Sequence, residues 1–212
     1  MDAAAWDARY AASERVWSAE PNIFVAAECA DLPPGRAVDL AAGEGRNALW
    51  LARLGWRVTA VDFAQAGLER GRLMAAEDPE VAARIDWVCA DVTTWSAAPE
   101  ADLVVMAYLQ LVADQRRLAV GHAFDALAPG GTLVLVAHDA TNLTEGTGGP
   151  TDAAVLYTAE DVLADLAGRG RGFDVIRAER VERHVGAPAG SHQHVGTTSA
   201  VAYDCLVRLR KG

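Results

Sequence analysis

The chain has 212 residues, 51% of them hydrophobic, and 29 acidic against 19 basic side chains give it a formal net charge of −10. That length can bury a real core as a single α/β domain over 1–212. That charge repels phosphate backbones and anionic bilayers at long range, which argues against nucleic acid or a membrane surface as the principal partner. No run reaches the ~20 apolar residues of a membrane span, and the Met1-Asp2 start lacks a basic region followed by an apolar stretch, so a cytoplasmic protein is expected. The cysteines Cys29, Cys89 and Cys205 are odd in number and far apart, and two lie in apolar strand-like runs. They read as buried core thiols in a reducing compartment.

Residues 1–30 are Ala-rich with a helical pattern. Trp6 and Tyr10 share one face, and Pro21 suits the first position of a second helix reaching about residue 30. Together with Trp17, these aromatics are expected either to fasten an N-terminal helical arm (1–35) to the core or to serve as a lid over a ligand. Asp31-Leu-Pro-Pro-Gly35 breaks the chain and leads into a core spanning 36–212.

Residues 38–41 form a short apolar run that contains Asp39. Gly43 and Gly45 follow around Glu44, so a strand gives way to a glycine loop. From Arg46 onward Leu49, Trp50, Leu51 and Leu54 recur at helical spacing, and Gly55 stands where a left-handed C-terminal cap is needed. Residues 57–61 form a second strand that ends in Asp62. This is a βαβ unit of the nucleotide-binding kind, in which glycines permit a sharp turn and close approach, and the first N–H groups of the helix face a ligand. Asp62 stands where such a unit presents a carboxylate to ribose hydroxyls.

A helix over about 64–76 and a loop at 77–80 lead to a third strand, 85–90, followed by Asp91 and Val92. A fourth strand spans 102–107, a helix about 114–127, and Ala128-Pro-Gly-Gly131 stops it before a fifth strand at 132–138. Strand and helix alternate, which implies right-handed crossovers and a parallel sheet. Residues 139–157 then form a polar, glycine-bearing loop of a length usually reserved for a site. Thr158 caps a helix with Glu160 and Asp161 in its first turn. Strands at 173–184 and 200–209, joined without a helix, should close the sheet as an antiparallel hairpin.

Asp39-Leu-Ala-Ala-Gly43-Glu-Gly45, Asp62, Asp91, Leu127-Ala-Pro-Gly-Gly131 and the closing hairpin together resemble the class I S-adenosylmethionine-dependent methyltransferases over about residues 37–209. Gly43-Glu-Gly-Arg-Asn47 and the aromatic arm are most similar to the tellurite-resistance-type and related small-molecule methyltransferases. The resemblance implies an α/β, Rossmann-like, seven-stranded and mostly parallel sheet with an antiparallel C-terminal hairpin strand and helices on both faces. It implies S-adenosyl-L-methionine as cofactor and S-adenosyl-L-homocysteine as product. Asp39 and the main chain of Ala41, Gly43 and Gly45 would surround the methionine part. Asp62 would take the ribose hydroxyls, Phe63 would lie on the adenine, Asp91 and the Val92 amide would read its edge, and the Ala107 carbonyl would meet the amino group. Ala41 departs from the family's usual glycine and is expected to narrow the turn without removing its N–H donors.

Two alternatives stand beside this reading. Gly43-x-Gly45-x-x-Ala48 also fits a dinucleotide fingerprint, and so an NAD-dependent oxidoreductase. Asp91 and the hairpin count against it, and a carboxylate pair such as Asp39 and Glu44 suits an ammonium and a sulfonium better than a pyrophosphate. A non-catalytic, cofactor-binding module is the other. For catalysis, His138 at the end of strand five, followed by Asp139, can act as a base or be a hydrogen-bonded strand end. Tyr108, just past strand four, can line the acceptor pocket, face the methyl-sulfonium, or pack. His184, His192 and His194 lie in or beside the hairpin loop, where no metal site is expected, and His122 is given no role. No Asn/Asp-Pro-Pro-Tyr element or cysteine follows strand four, as base methylation would require. A small-molecule acceptor, an oxyanion such as tellurite included, is the expectation. Nothing in the sequence fixes an oligomeric state.

Overall fold

The structure, a computed structural model, describes residues 3–12, 20–97, 100–167, 172–185 and 200–212. Its elements run α1 (Ala3–Ala12), α2 (Ile23–Cys29), β1 (Arg36–Leu40), α3 (Arg46–Arg53), β2 (Arg57–Asp62), α4 (Gln65–Ala75), α5 (Pro79–Ala82), β3 (Ile85–Cys89), β4 (Ala101–Ala107), α6 (Ala113–Ala126), β5 (Leu127–His138), α7 (Asn142–Glu145), α8 (Ala159–Leu166), β6 (Phe173–Val185) and β7 (Ala200–Lys211). The strands form one seven-stranded sheet in the order β3-β2-β1-β4-β5-β7-β6. β1 to β5 pair in parallel, whereas β7 is antiparallel to both β5 and β6. The expected mostly parallel sheet with an antiparallel closing hairpin is what the chain adopts.

Alternation along the central strands divides the core in two. Val104 and Met106 of β4 and Leu133 and Leu135 of β5 face Val120, Phe124, Val162 and Leu166 of α6 and α8. Leu103, Val105, Val134 and Val136 point the other way, toward Val25, Leu49, Leu51 and Val81 of α2, α3 and α5. Successive strand residues point to opposite faces, so a near-continuous apolar run is what a strand covered on both sides requires. Because β1 to β5 run in parallel, their carboxyl ends meet one edge of the sheet, where Asp39, Asp62, Ala107 and His138 lie.

Local chemistry shifts several expected boundaries. Pro21 lies outside α2, because the Asn22 side chain accepts the Phe24 and Val25 N–H groups and makes Asn22 the N-cap; an amide side chain serves there better than proline. The 77–80 loop gives way at Pro79 to α5, which is capped by Asp78 and runs to Ala82. The Pro-Gly-Gly break lies within β5: the register passes from Ala101↔Leu127 to Leu103↔Thr132, so 128–131 bulge out of the ladder. The long loop after β5 holds α7 and a 3₁₀ turn, Ala153–Val155. Thr158 caps α8 as expected, in a reciprocal capping box with Asp161.

Lys211, the one lysine in the sequence, is 4% exposed. Its Nζ donates to the carbonyls of Phe124 (2.9 Å) and Leu127 (2.6 Å), so a buried cation closes the C-terminal end of α6. Cys29 and Cys205 are buried as expected, and burial pushes the Cys29 thiol up to about 12 and the Cys205 thiol well above its usual range. Cys89 is exposed, which corrects the expectation of three buried thiols. It ends β3, the outermost parallel strand, where no further strand covers it.

Candidate active site

β1 delivers Asp39 to the edge, and the chain then turns through three left-handed residues, Ala41 (φ 58°), Gly43 (φ 57°) and Gly45 (φ 75°). Ala41 therefore does more than narrow the turn: it holds a conformation that costs a residue with a Cβ about 1–2 kcal/mol. Gly45 has a second constraint. A Cβ there would sit 2.4 Å from the Trp87 ring, which is wedged between the start of α3 and α4.

The N–H donors of this loop are largely engaged by the protein's own acceptors. Gly43 donates to Asp62 Oδ2 (2.8 Å) and Ala48 to Asp39 Oδ2 (3.0 Å). Gly45 donates to the Ala42 carbonyl (2.8 Å) and Ala42 to the Val61 carbonyl (3.0 Å). Of the first N–H groups of α3, that of Ala48 is thus already taken by a side chain of the protein. The helix N-terminus normally attracts an anion, and here a carboxylate from β1 already stands in that place.

Asp39 is 1% exposed and its Oδ1 has no hydrogen-bond partner. Burial pushes its carboxyl up to about 7, against the Ala48 N–H and the Arg46 charge, with Asp62 adding repulsion. Asp62 is raised too, chiefly by burial, while the Ala64 and Gly43 N–H groups pull it back. The acidic pair at this turn is thus Asp39 and Asp62. Glu44, expected to be Asp39's partner, is instead bound to Arg70 Nη1 at 2.8 Å.

The other expected cofactor residues line the same edge. Phe63 follows Asp62 directly and is half-buried. Asp91 is exposed, and its Oδ1 accepts from the Thr93 N–H (2.8 Å) and hydroxyl (2.7 Å). Val92 is buried, and its carbonyl lies 3.1 Å from His122 Nδ1, so a histidine expected to be idle anchors this turn. Ala107 ends β4, half-buried.

The arm packs on α4, next to this half of the edge. Asp7 Oδ1 accepts the Ala66 N–H at the start of α4 (2.9 Å), and Tyr10, buried and stacked on Trp6, sits 3.0 Å from where a Cβ on Gly67 would be. Trp17 lies outside the described residues.

A second cluster, at the far side of the edge, contains both expected catalytic residues and two that sequence reasoning missed. Register explains it. Asp204 of β7 pairs with His138 of β5 and with Val181 of β6; paired residues point to one face, as do residues two apart, so His138, Asp204 and Arg183 converge. Asp204 is fully buried. Its Oδ2 accepts from the Tyr108 hydroxyl (2.8 Å) and Arg183 Nε (2.7 Å), and its Oδ1 lies 3.2 Å from His138 Nδ1. Burial works against its ionisation, but the His138, Arg183 and Tyr108 contacts outweigh that and hold the carboxyl below its usual range.

Tyr108 has φ 59°, a strained value for an aromatic residue. Its ring lies 4.8 Å from that of His138, and burial and the Asp204 charge push its hydroxyl above the usual range. Arg183 and Arg46 approach the same ring at 5.5 and 6.0 Å. Asp139 is not the partner of His138, since its Oδ1 is taken by the Thr141 N–H and hydroxyl. The signal for Asp204 was one carboxylate inside an apolar strand, Ala-Val-Ala-Tyr-Asp-Cys-Leu-Val. His184 is exposed on β6, and His192 and His194 lie outside the described residues. Among the described residues no cluster of His, Cys, Asp or Glu could hold a metal ion.

Residues 37–131 match a family model described as a methyltransferase domain. No curated protein matches the chain by sequence. Among solved structures, the N-methyltransferase NodS from Bradyrhizobium japonicum WM9, in complex with S-adenosyl-L-homocysteine, superposes with a TM-score of 0.69 at 19% identity, over 97% of this chain and 96% of that one. TehB from Haemophilus influenzae gives 0.68 at 15% identity, over 89% of this chain and 61% of that one. A protein studied for the conversion of a disulfide bond into a thioacetal group during echinomycin biosynthesis gives 0.73 at 20% identity, over 99% and 91%. At these identities the likeness shows the fold.

Proposed function

We propose that this chain, which carries a methyltransferase domain in the class I, S-adenosylmethionine-dependent fold, transfers a methyl group from S-adenosylmethionine to a small-molecule acceptor. NodS, complexed with the demethylated product, supports that choice of cofactor. One observation in this chain carries the reading. The helix N-terminus that would cradle a pyrophosphate is filled by Asp39, a buried carboxylate whose Oδ1 is without a partner. A second buried carboxylate, Asp62, takes the Gly43 N–H. Such a turn repels a diphosphate and attracts a ligand carrying an ammonium and a sulfonium. The dinucleotide alternative is weakened on this ground.

Each Asp62 oxygen accepts one backbone N–H and keeps a second lone pair for a ribose hydroxyl. Phe63, Asp91 and Val92 are the adenine side of the proposed site. Asp39, the main chain of Ala41, Gly43 and Gly45, and the Ala107 carbonyl form its methionine side. The cofactor supplies the difficult chemistry, an activated methyl on a positively charged sulfur that leaves as a neutral thioether. The chain's residues align the acceptor and remove its proton. His138, at the end of β5, is the proposed base for the second task, and Tyr108, just past β4, is the proposed lining of the acceptor pocket. The α1 arm, fastened to α4 beside Asp62, covers the adenine side as a lid. The free thiols suit a reducing, cytoplasmic setting.

The test is a screen that follows S-adenosylhomocysteine release over chemically diverse small acceptors. Turnover with any of them supports an enzyme. Cofactor binding without turnover across the panel would favour the non-catalytic alternative.

A further inference from the structure

We infer that Asp204 is a positioning residue that fixes His138 in the tautomer with hydrogen on Nδ1, leaving Nε2 as the lone pair that accepts a proton from the acceptor. The inference rests on the methyl-transfer reading for its purpose, though not for its geometry. Three groups converge on this carboxylate. Tyr108 and Arg183 donate to Oδ2, and His138 Nδ1 stands 3.2 Å from Oδ1, close in distance though off the line of a well-directed hydrogen bond. An ionised carboxylate facing Nδ1 favours hydrogen on that nitrogen. Among the described residues nothing takes Nε2.

The ring is also held mechanically. Tyr108 lies against it at 4.8 Å, and Gly149 (φ +79°) passes so close that a Cβ would stand 3.0 Å from three ring atoms. The His138 N–H donates to Gln110 Oε1 at 2.9 Å, which anchors the main chain at the strand end. The charged and titratable groups around the ring are Asp204 from β7, Arg183 from β6 and Tyr108 after β4, with Arg46 of α3 beyond the tyrosine. Arg183 is spent on Asp204, so the pair is near neutral before the imidazole takes a proton, and the imidazolium then rests against a carboxylate. A base oriented by a buried acid in this way serves a nucleophile that must lose a proton as it takes the methyl group. That points to a hydroxyl or an amine acceptor: its X–H proton goes to Nε2 while its electron pair forms the bond to carbon.

The experiment is NMR of the protein carrying ¹⁵N-histidine, with S-adenosylhomocysteine bound, at about pH 8.5, where imidazole is largely neutral. The His138 signals are assigned by their loss in His138→Gln. Wild type should show the Nδ1–H tautomer, Asp204→Asn should lose it in favour of Nε2–H, and Asp204→Glu, which keeps the charge, should retain it. An Nε2–H tautomer in wild type overturns the inference without any variant, and so does an unchanged tautomer in Asp204→Asn. Calorimetry with S-adenosylhomocysteine separates the two levels. Absence of binding to wild type would sink the methyl-transfer reading while the tautomer, measured on the free protein, still decides the role of Asp204.

Discussion

Asp39→Asn tests the electrostatics of the turn, because it removes one charge and little else. The Asp39 carboxyl is raised from 3.8 to about 7 by burial, a difference of roughly 3 pH units that corresponds to about 4 kcal/mol. The folded protein binds this proton more tightly than the unfolded chain does. The contribution is therefore fully present below pH 4, declines as pH rises toward 7, and becomes a constant penalty above it. Asparagine abolishes the penalty but puts an amide where Oδ1 stood, with an unmet donor costing about 1–3 kcal/mol. The net expectation is a variant more stable than wild type by about 1–3 kcal/mol at pH 8, with the order reversing toward pH 4, where wild type no longer carries the penalty and the variant keeps its unmet donor. Urea denaturation at several pH values reads this directly. The same variant should bind S-adenosylmethionine at least tenfold more weakly at pH 7.5, and the wild-type affinity should rise between pH 5.5 and 7.5 while the variant's stays flat. A variant less stable than wild type at pH 8, or one with unchanged affinity and pH dependence, would refute the reasoning.

Asp62→Ala should weaken S-adenosylmethionine binding by tenfold or more, since it removes the proposed ribose acceptor and leaves the Gly43 and Ala64 N–H groups unpaired; unchanged calorimetric affinity would refute the ribose assignment. Gly45→Ala combines a positive φ with a methyl 2.4 Å from Trp87, so it should destabilise the fold by about 2–4 kcal/mol and shift the Trp87 fluorescence. Lys211→Met keeps the stem but leaves the Phe124 and Leu127 carbonyls without their donor, and chemical denaturation should show a loss of about 1–3 kcal/mol.

Much of this fold could be read from the sequence because its signals are local. Gly55 at φ +95°, the Thr158 capping box and the alternation of apolar runs with helical spacing each specify their own stretch. Pro21 misled because Asn22, whose side chain accepts two backbone N–H groups, caps the helix and so starts it at Ile23, two residues past the proline. The loop's engaged N–H groups were hidden for a different reason. Gly43 and Asp62 meet only when β2 lies beside β1, and Glu44 finds Arg70 only when α4 packs over the loop. Asp204 shows the limit most clearly: its partners Tyr108, His138 and Arg183 come from three other strands or strand ends, and only the register of β7 between β5 and β6 assembles them.

The central claim is that a turn lined by Asp39 and Asp62 accepts a cationic nucleoside and rejects a diphosphate. Parallel calorimetric titrations with S-adenosylmethionine and with NAD⁺ and NADH test it most directly. Saturable binding of S-adenosylmethionine, with none of either dinucleotide, is the predicted result; saturable binding of a dinucleotide with none of S-adenosylmethionine would contradict it.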